Sequence, residues 1–298
     1  MAITVSTKNR IQALKNEFSS LKKGKEALSA IIDDAEIPEG VYNSNAIENS
    51  TLTLKETEKI LLEMEVSRDV NVREIFEAKN LARVMGYIRT KSQEKNIDKE
   101  LIFLLHQMLI GGINDKIAGR FRAKGEYVRV GTHIAPAPEH VESMIYSILT
   151  GYENELDSYF LDKIAKFHLD FETVHPFCDG NGRIGRVLIC YQLMRLGLTP
   201  IIIRDKEKTE YYKAFTDYRD GKNTKTMEKV IALALMESLH KRITYLKGEK
   251  IITLSEYAKQ SGKSAPAIFN AARRQTIPAF RERSVWKIGE GFVCESKK

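Results

Sequence analysis

Residues 175–186 read HPFCDGNGRIGR, and the organisation of the chain can be followed outward from them. Pro176 lacks a backbone N–H and keeps its predecessor out of the helical region, so His175 is expected where a helix ends. The glycines and asparagine of Gly180-Asn181-Gly182 tolerate positive φ, which lets the chain turn sharply and enter a new helix. Such a turn aims several backbone N–H groups at one point. Together with the positive end of the helix dipole they form an anion site suited to phosphate. The new helix should bury Ile184, Val187, Leu188 and Tyr191. Arg183 and Arg186, three residues apart, are expected off that stripe, where two guanidiniums reach phosphates beside the amides. Asp179 supplies a hard oxygen where Mg²⁺ would bridge phosphate oxygens. A histidine adds a group suited to proton transfer near neutral pH. Taken singly each residue has an ordinary structural explanation, but none explains all of them within twelve positions.

Away from this stretch, helical periodicity dominates and predicts a mainly α bundle of seven helices. Thr53-Leu-Lys-Glu56 is a capping box, with Thr57, Ile60, Leu61 and Met64 on one face behind it. Further stripes run over 73–95, 98–110, 139–153, 159–174, 184–196 and 227–246. Between Gly119 and Pro138 the pattern changes to EYVRVGTHIAP, in which Tyr127, Val128, Val130 and Ile134 flank Gly131-Thr132 as a β-hairpin. Gly248-Glu-Lys250 reads as a linker to a different C-terminal unit. The division is therefore 1–97, an N-terminal helical region; 98–248, the core and bundle helices; and 249–298, a small separate domain.

With 298 residues, 43% hydrophobic and 29% charged, the chain has enough length for about two domains. Its longest apolar run, LIFLLHQMLIGGI from Leu101, is interrupted by His106 and Gln107, so no transmembrane helix is expected. Lys8 and Arg10 are followed by no apolar run of the export type. Cys178, Cys190 and Cys294 are odd in number and form no close pair, which fits a reducing, cytoplasmic setting. The net charge of +7 is concentrated in residues 249–298, where ten Lys and Arg face five Asp and Glu.

The segment from His175 to Arg186 resembles the signature of Fic-domain proteins, HPFx(D/E)GNGRxxR, at every specified position. The resemblance extends over roughly residues 43–199, and the hairpin at 126–138, with Tyr127, Val128, Val130 and Ile134, resembles the family's substrate flap. It implies an all-α Fic-type bundle and Mg²⁺-dependent transfer of AMP from ATP to a Ser, Thr or Tyr hydroxyl of a target protein. It further implies His175 as general base, Asp179 as metal ligand and Phe177 as the anchor of the loop. Asn181 would position phosphate, the Gly180 and Gly182 amides would cradle the α-phosphoryl group, and Arg183 and Arg186 would contact the β- and γ-phosphates. A phosphorylating branch carries lysine at the second glycine, so Gly182 favours adenylylation. Upstream, Ser44-Asn45-Ala46-Ile47-Glu48-Asn49 resembles the family's inhibitory motif (S/T)xxxE(G/N), which implies that Glu48 pairs with Arg186 and that Ser44 steadies the segment.

Two other readings compete. His168, Glu172 and His175 lie at i, i+4 and i+7, and Glu172-x-x-His175 is echoed by Glu237-x-x-His240, as in metal-carboxylate bundles. Otherwise His168 is a core histidine, His133 a solvent-exposed one or a substrate contact, Cys178 an unspecified position, and Tyr211, Tyr212 and Tyr218 packing residues, with room for some of them close to the nucleotide base. In the tail, TLSEYAKQSGKSAPAIFNAARRQTIPAFRERSVWKIGEGFV resembles an excisionase-like winged helix-turn-helix, with helices at 253–260 and 265–275 and a wing containing Phe280, Val285, Trp286 and Ile288. It implies a DNA-binding regulator whose Arg273, Arg274, Arg281, Arg283 and Lys287 contact the phosphate backbone. The alternative is a small docking domain. The target protein and the question of a homo-oligomer stay open at this level.

Overall fold

The computed structural model describes residues 3–66 and 68–293; Cys294 lies outside them. The chain opens with α1 (Val5–Lys22), α2 (Glu26–Ile47) and the short α3 (Leu54–Glu58), which runs into a π-helical turn over Lys59–Glu63. Next come α4 (Val72–Lys91), α5 (Lys99–Ile110) and a minimal hairpin of β1 (Arg129–Val130) and β2 (His133–Ile134). They are followed by α6 (Pro138–Asn154), α7 (Phe160–Val174), α8 (Asn181–Arg195), α9 (Lys208–Gly221) and α10 (Lys225–Lys247). A last unit comprises β3 (Ile251–Thr253), α11 (Leu254–Ser261), α12 (Ala265–Arg273), β4 (Phe280–Glu282) and β5 (Val285–Gly289). None of the described helices is long and apolar enough to cross a membrane.

The expected stripes return as α4, α5, α6, α7, α8 and α10, and the Thr53–Glu56 capping box forms reciprocally. Three further helices, α1, α2 and α9, are not among the expected stripes. α2 has Pro38 inside it and buries Glu39, Asn43 and Asn45, so it lacks a clean apolar stripe. α1 and α9 do bury apolar residues at helical spacing, Ile11 and Phe18 in one and Tyr211, Ala214 and Tyr218 in the other. The face expected behind Thr53 is shorter than the sequence suggested. Met64 adopts a left-handed conformation that ends the π turn and is 69% exposed.

One hydrophobic core runs without a break from Ile11 to Leu246, and a second, small one joins Ile252, Leu254, Tyr257, Ile268, Ala272, Phe292 and Ile288. α10 passes through the middle, packing on α1, α7 and α9. The terminal strands form an antiparallel sheet in the order β3-β5-β4, with Ile252 opposite Ile288 and Arg281 opposite Trp286. α10 ends at Gly248 in a left-handed conformation and β3 begins three residues later.

Buried charge joins the two cores. Glu237 on α10 accepts from Arg204 at 2.9 Å and from the Arg281 guanidinium of β4 at 2.5–3.1 Å. Glu39 on α2 pairs with Arg204 at 2.5 Å and accepts from the backbone N–H groups of Arg283 and Ser284. Burial opposes the Glu237 charge, but the two arginines outweigh it and keep its carboxyl below the ordinary value. Replacing Glu237 by alanine takes one of two counter-charges from each of two buried guanidiniums, leaving Glu39 on Arg204 and Glu207 on Arg281. Urea unfolding of that variant is expected to show a loss of about 3–5 kcal/mol, the range for breaking one side of a buried pair.

Candidate active site

The site is built at the junction of α7 and α8. Phe171 fixes the end of α7 by accepting from the His175 N–H, and His175 itself takes the left-handed conformation, φ 49°, that turns the chain out of the helix. The side chain of Asn181 then closes the loop: its Nδ2 donates to the Phe177 carbonyl and its Oδ1 accepts from the Phe177 N–H, both at 2.8 Å. Phe177 is fully buried and stacks on His106 of α5 with ring centroids 3.6 Å apart. Burial pushes His106 down to about 4. Its Nδ1 accepts from the Gly119 N–H, which leaves Nε2 to donate to the Asp179 carbonyl at 3.0 Å. Gly180 starts α8 at φ 80°, and a Cβ there would come within 3.1 Å of Ile110.

The sequence places an anion site at the start of α8. Gly180 offers no side-chain cap, and among the described residues the first-turn amides of Asn181, Gly182 and Arg183 have no hydrogen-bond acceptor. The Gly180 N–H bonds instead to the Asp179 carboxylate at 2.6 Å. Burial disfavours the Asp179 charge, but Arg183 at 3.1 Å and Arg73 hold the carboxyl below its usual range. Glu77 of α4 meets the same two arginines, Arg73 at 3.0 Å and Arg183 at 3.1 Å.

Arg186 lies deeper than a surface phosphate ligand would. Its Nε donates to Ser44 Oγ at 2.9 Å, and its Nη2 donates to the Ser44 carbonyl and to Glu48 Oε1, each at 2.8 Å. Nη1 reaches the Tyr211 hydroxyl at 3.4 Å, and that hydroxyl contacts His168 Nε2 at 2.8 Å. Burial works against the Arg186 charge, yet Glu48 more than restores it and its proton is held more firmly than usual. The carboxylate of Glu48 rests over the first turn of α8, where a Cβ on Gly182 would lie 2.2 Å from Oε1. An internal anion thus sits at the helix terminus. Asn49, next in the chain, has φ 67°, a conformation open to glycine and asparagine, which accounts for both residues at that position of the motif.

Glu48, His175, Gly182 and Val130 border two adjoining clefts. One, of about 790 Å³, holds Arg73, Glu77, Asp179 and Arg183; the other, of about 560 Å³, holds Glu172, Arg186, Tyr211, Tyr212 and Phe215. The hairpin overhangs both, with Tyr127, Val130 and Ile134 exposed and Val128 half-buried. Arg122 anchors it to the turn after α7, donating to the carbonyls of His175 and Pro136 at 2.9 Å and of Glu126 at 3.0 Å. His175 Nδ1 faces Glu172 at 3.6 Å.

Several expectations change with this geometry. Arg183 and Arg186 are both buried rather than projecting freely. The Asn181 carboxamide is committed to the loop backbone, which leaves its own N–H for an anion. His133 is not a solvent-exposed side chain, because its Nε2 bonds the Thr173 carbonyl at 2.9 Å. Tyr211 and Tyr212 border a cleft instead of serving packing alone. The Cys178 thiol is pushed up to about 11 by burial and by Glu126, which suppresses a reactive thiolate. The metal-bundle reading fails: Glu237 is taken by Arg204 and Arg281, His240 bonds Gln275, and among the described residues no three His, Cys, Asp or Glu side chains are grouped to hold an ion. Arg73, Glu77, Arg122 and His106 were missed, since each lies far from the signature in sequence and carries no motif of its own.

Comparison with known proteins agrees with this architecture. Residues 96–193 match the Fic/DOC family, and the chain carries a Fic/DOC-family domain. Over 220 residues it is 29% identical to the protein adenylyltransferase Fic of Nematostella vectensis, an alignment covering 72% of this chain and 50% of that protein. The chain thus spans about half the length of that curated relative. A Fic domain containing signaling protein from Bacteroides thetaiotaomicron superposes with a TM-score of 0.72 at 25% identity, covering 80% of this chain and 97% of the other. A Fic family protein from Desulfovibrio desulfuricans gives 0.66 at 20% identity with 99% of both chains covered, so the likeness of fold continues through the C-terminal unit.

A pH effect follows from His106, which is neutral in the fold down to about 4 but protonates near 6.5 when unfolded. Between those values the unfolded chain binds the extra proton, so its stabilising contribution is present above pH 6.5 and is lost as the pH falls toward 4. Chemical unfolding across that window should show a slope reduced in His106→Gln by up to about 1.4 kcal/mol per pH unit.

Proposed function

We propose that this chain transfers the AMP moiety of ATP to a Ser, Thr or Tyr hydroxyl of a target protein. The observation that carries the reading is the convergence of His175, the free first-turn amides of α8, Arg183 and Arg186 on adjoining clefts. In this reading the incoming hydroxyl gives its proton to His175, while Glu172, 3.6 Å from Nδ1, orients the imidazole. The hydroxyl oxygen bonds the α-phosphorus as its bond to the β-phosphate oxygen breaks, and pyrophosphate leaves. Gly182 admits phosphate close to the helix terminus, and Arg183 and Arg186 take the β- and γ-phosphates. Exposed Tyr127, Val130 and Ile134, with Val128, offer the target segment an apolar ledge.

Asp179 fits a hard divalent ion whose other ligands come from the triphosphate and water, which is how Mg²⁺ is ordinarily held beside nucleotides. When bound, Mg²⁺ would neutralise phosphate charge next to Asp179. The fit requires Arg73, now on that carboxylate, to release it.

The contact between Glu48 and Arg186 gives the reading a regulatory side. A carboxylate on the guanidinium that the γ-phosphate needs, and above the turn that the phosphates approach, turns the α-phosphorus away from in-line attack. Misplacement of about an ångström costs on the order of a hundredfold in rate. Removal of AMP from the target by the same site is a further part of this reading.

For the C-terminal unit the DNA reading is reduced. Arg281 is committed to Glu237 and Glu207, Arg283 to Glu58 and Lys287 to Glu282, which leaves Arg273 and Arg274. Its ties to α2 and α10 favour a docking role within the protein. Fluorescence anisotropy with duplex DNA distinguishes the two, since a steep, salt-dependent affinity would restore the DNA reading.

Two variants test the enzymatic proposal with ATP labelled separately at the α- and γ-phosphates. His175→Ala should retain ATP binding and lose protein labelling by on the order of a hundredfold or more. Glu48→Gly should raise α-label transfer strongly, and adding Arg186→Ala should remove the gain. Incorporation of γ-label would overturn the adenylyl assignment, and a folded Glu48→Gly protein no faster than the parent would overturn the inhibitory one.

A further inference from the structure

A third cavity, of about 440 Å³, lies away from both clefts, between the start of α1, one face of α10 and the turn that follows α12. Lys225 and Lys229 stand four residues apart on α10, an arrangement in which like charges repel. Arg10 reaches the cavity from α1 and Arg274 from the end of α12, so four cations border a space whose lining includes one acid, Glu210. None of the four side chains has an ion pair or hydrogen-bond acceptor among the described residues.

Arg10 is the telling member. Every other arginine that is not fully exposed has an oxygen to bond: carboxylates for Arg89, Arg120, Arg183, Arg186, Arg204, Arg242 and Arg281, and carbonyls for Arg122 and Arg195. Arg10 is half-buried with none. Burial accordingly lowers its affinity for the proton, with no carboxylate to offset the effect. Elsewhere the interior of this protein matches its guanidiniums with acceptors. Arg10, which lines the cavity, has no such acceptor among the described residues.

The remaining lining fits an organic ligand better than a bare ion or a polymer backbone. Leu233 and Met236 give an apolar wall one and two turns beyond Lys229, while the hydroxyls of Thr4 and Thr7 bond each other and that of Thr226 donates to Asp217. The volume suits a small molecule. We propose that this cavity binds a small organic phosphate of two or more negative charges, held by Arg10, Lys229 and Arg274 with its apolar part against Leu233. Such a ligand would join the N-terminal helix, the central helix and the C-terminal unit through one set of charge-assisted bonds.

The test uses the full chain with pyrophosphate and phenyl phosphate as probes, followed by calorimetric titration and by thermal unfolding at constant ionic strength. Both probes are expected to bind and to raise the Tm of the parent protein, and equally that of Arg186→Ala, in which the active-site guanidinium is absent. Lys229→Glu and, separately, Arg10→Gln should weaken both probes at least tenfold while keeping the parent's circular dichroism. Lys225→Glu, on an exposed turn, provides a further charge reversal should either variant unfold. Leu233→Asn should weaken phenyl phosphate more than pyrophosphate. Unchanged affinity in the charge variants, loss of binding in Arg186→Ala alone, or stabilisation matched by sodium chloride at the same ionic strength would each overturn the assignment.

Discussion

The reciprocal pair between the Asn181 carboxamide and the backbone of Phe177 holds the rest of the site in place. It satisfies both backbone polar groups of the buried Phe177, so this residue crosses the interior with its donor and acceptor paired. With Phe177 fixed on His106, His175 stands at one end of the turn and the free amides of α8 at the other. Neither end could move independently, because the ring stack, the Asp179 carbonyl and the left-handed glycine all bear on the same five residues.

Around that turn the protein pairs each buried guanidinium with acids. Arg183 is balanced by Asp179 and Glu77, and Arg186 by Glu48 from a different helix. A guanidinium costs several kcal/mol to bury alone, so the acids that accompany these two arginines are a structural necessity whenever no other anion is present. The phosphate proposed to bind here and the Glu48 carboxylate now paired with Arg186 would therefore answer the same electrostatic requirement. Charge also explains why the C-terminal unit is not a loosely tethered module. Glu39 and Glu237 need Arg204 and Arg281, and that need draws β4 onto α2 and α10.

Much of this was legible in the sequence, for reasons that can be named. Six helices declared themselves through apolar residues at helical spacing, and the capping box at Thr53 through two local hydrogen bonds. The turn of residues 175–186 was readable because proline, glycine and asparagine restrict or release backbone angles within a few positions. α2 was not readable, because a helix that buries Glu39, Asn43 and Asn45 against partners far away carries no apolar stripe. Its Glu48 and Ser44 were found through resemblance to a motif and not through periodicity.

The sequence by itself determined the local objects: the helices, the hairpin, the turn, and the kinds of side chain gathered on it. Tertiary structure alone decided which distant groups those side chains would meet. Arg73 and Glu77 on Asp179 and Arg183, Arg122 under the hairpin, Tyr211 between Arg186 and His168, and the pairing of Arg281 with Glu237 in place of a free basic surface all belong to that second kind. The physical reason is range. Backbone preferences act over a handful of bonds and leave a mark at each residue, whereas a buried charge takes its partner from whatever element the packed core brings within about 3 Å.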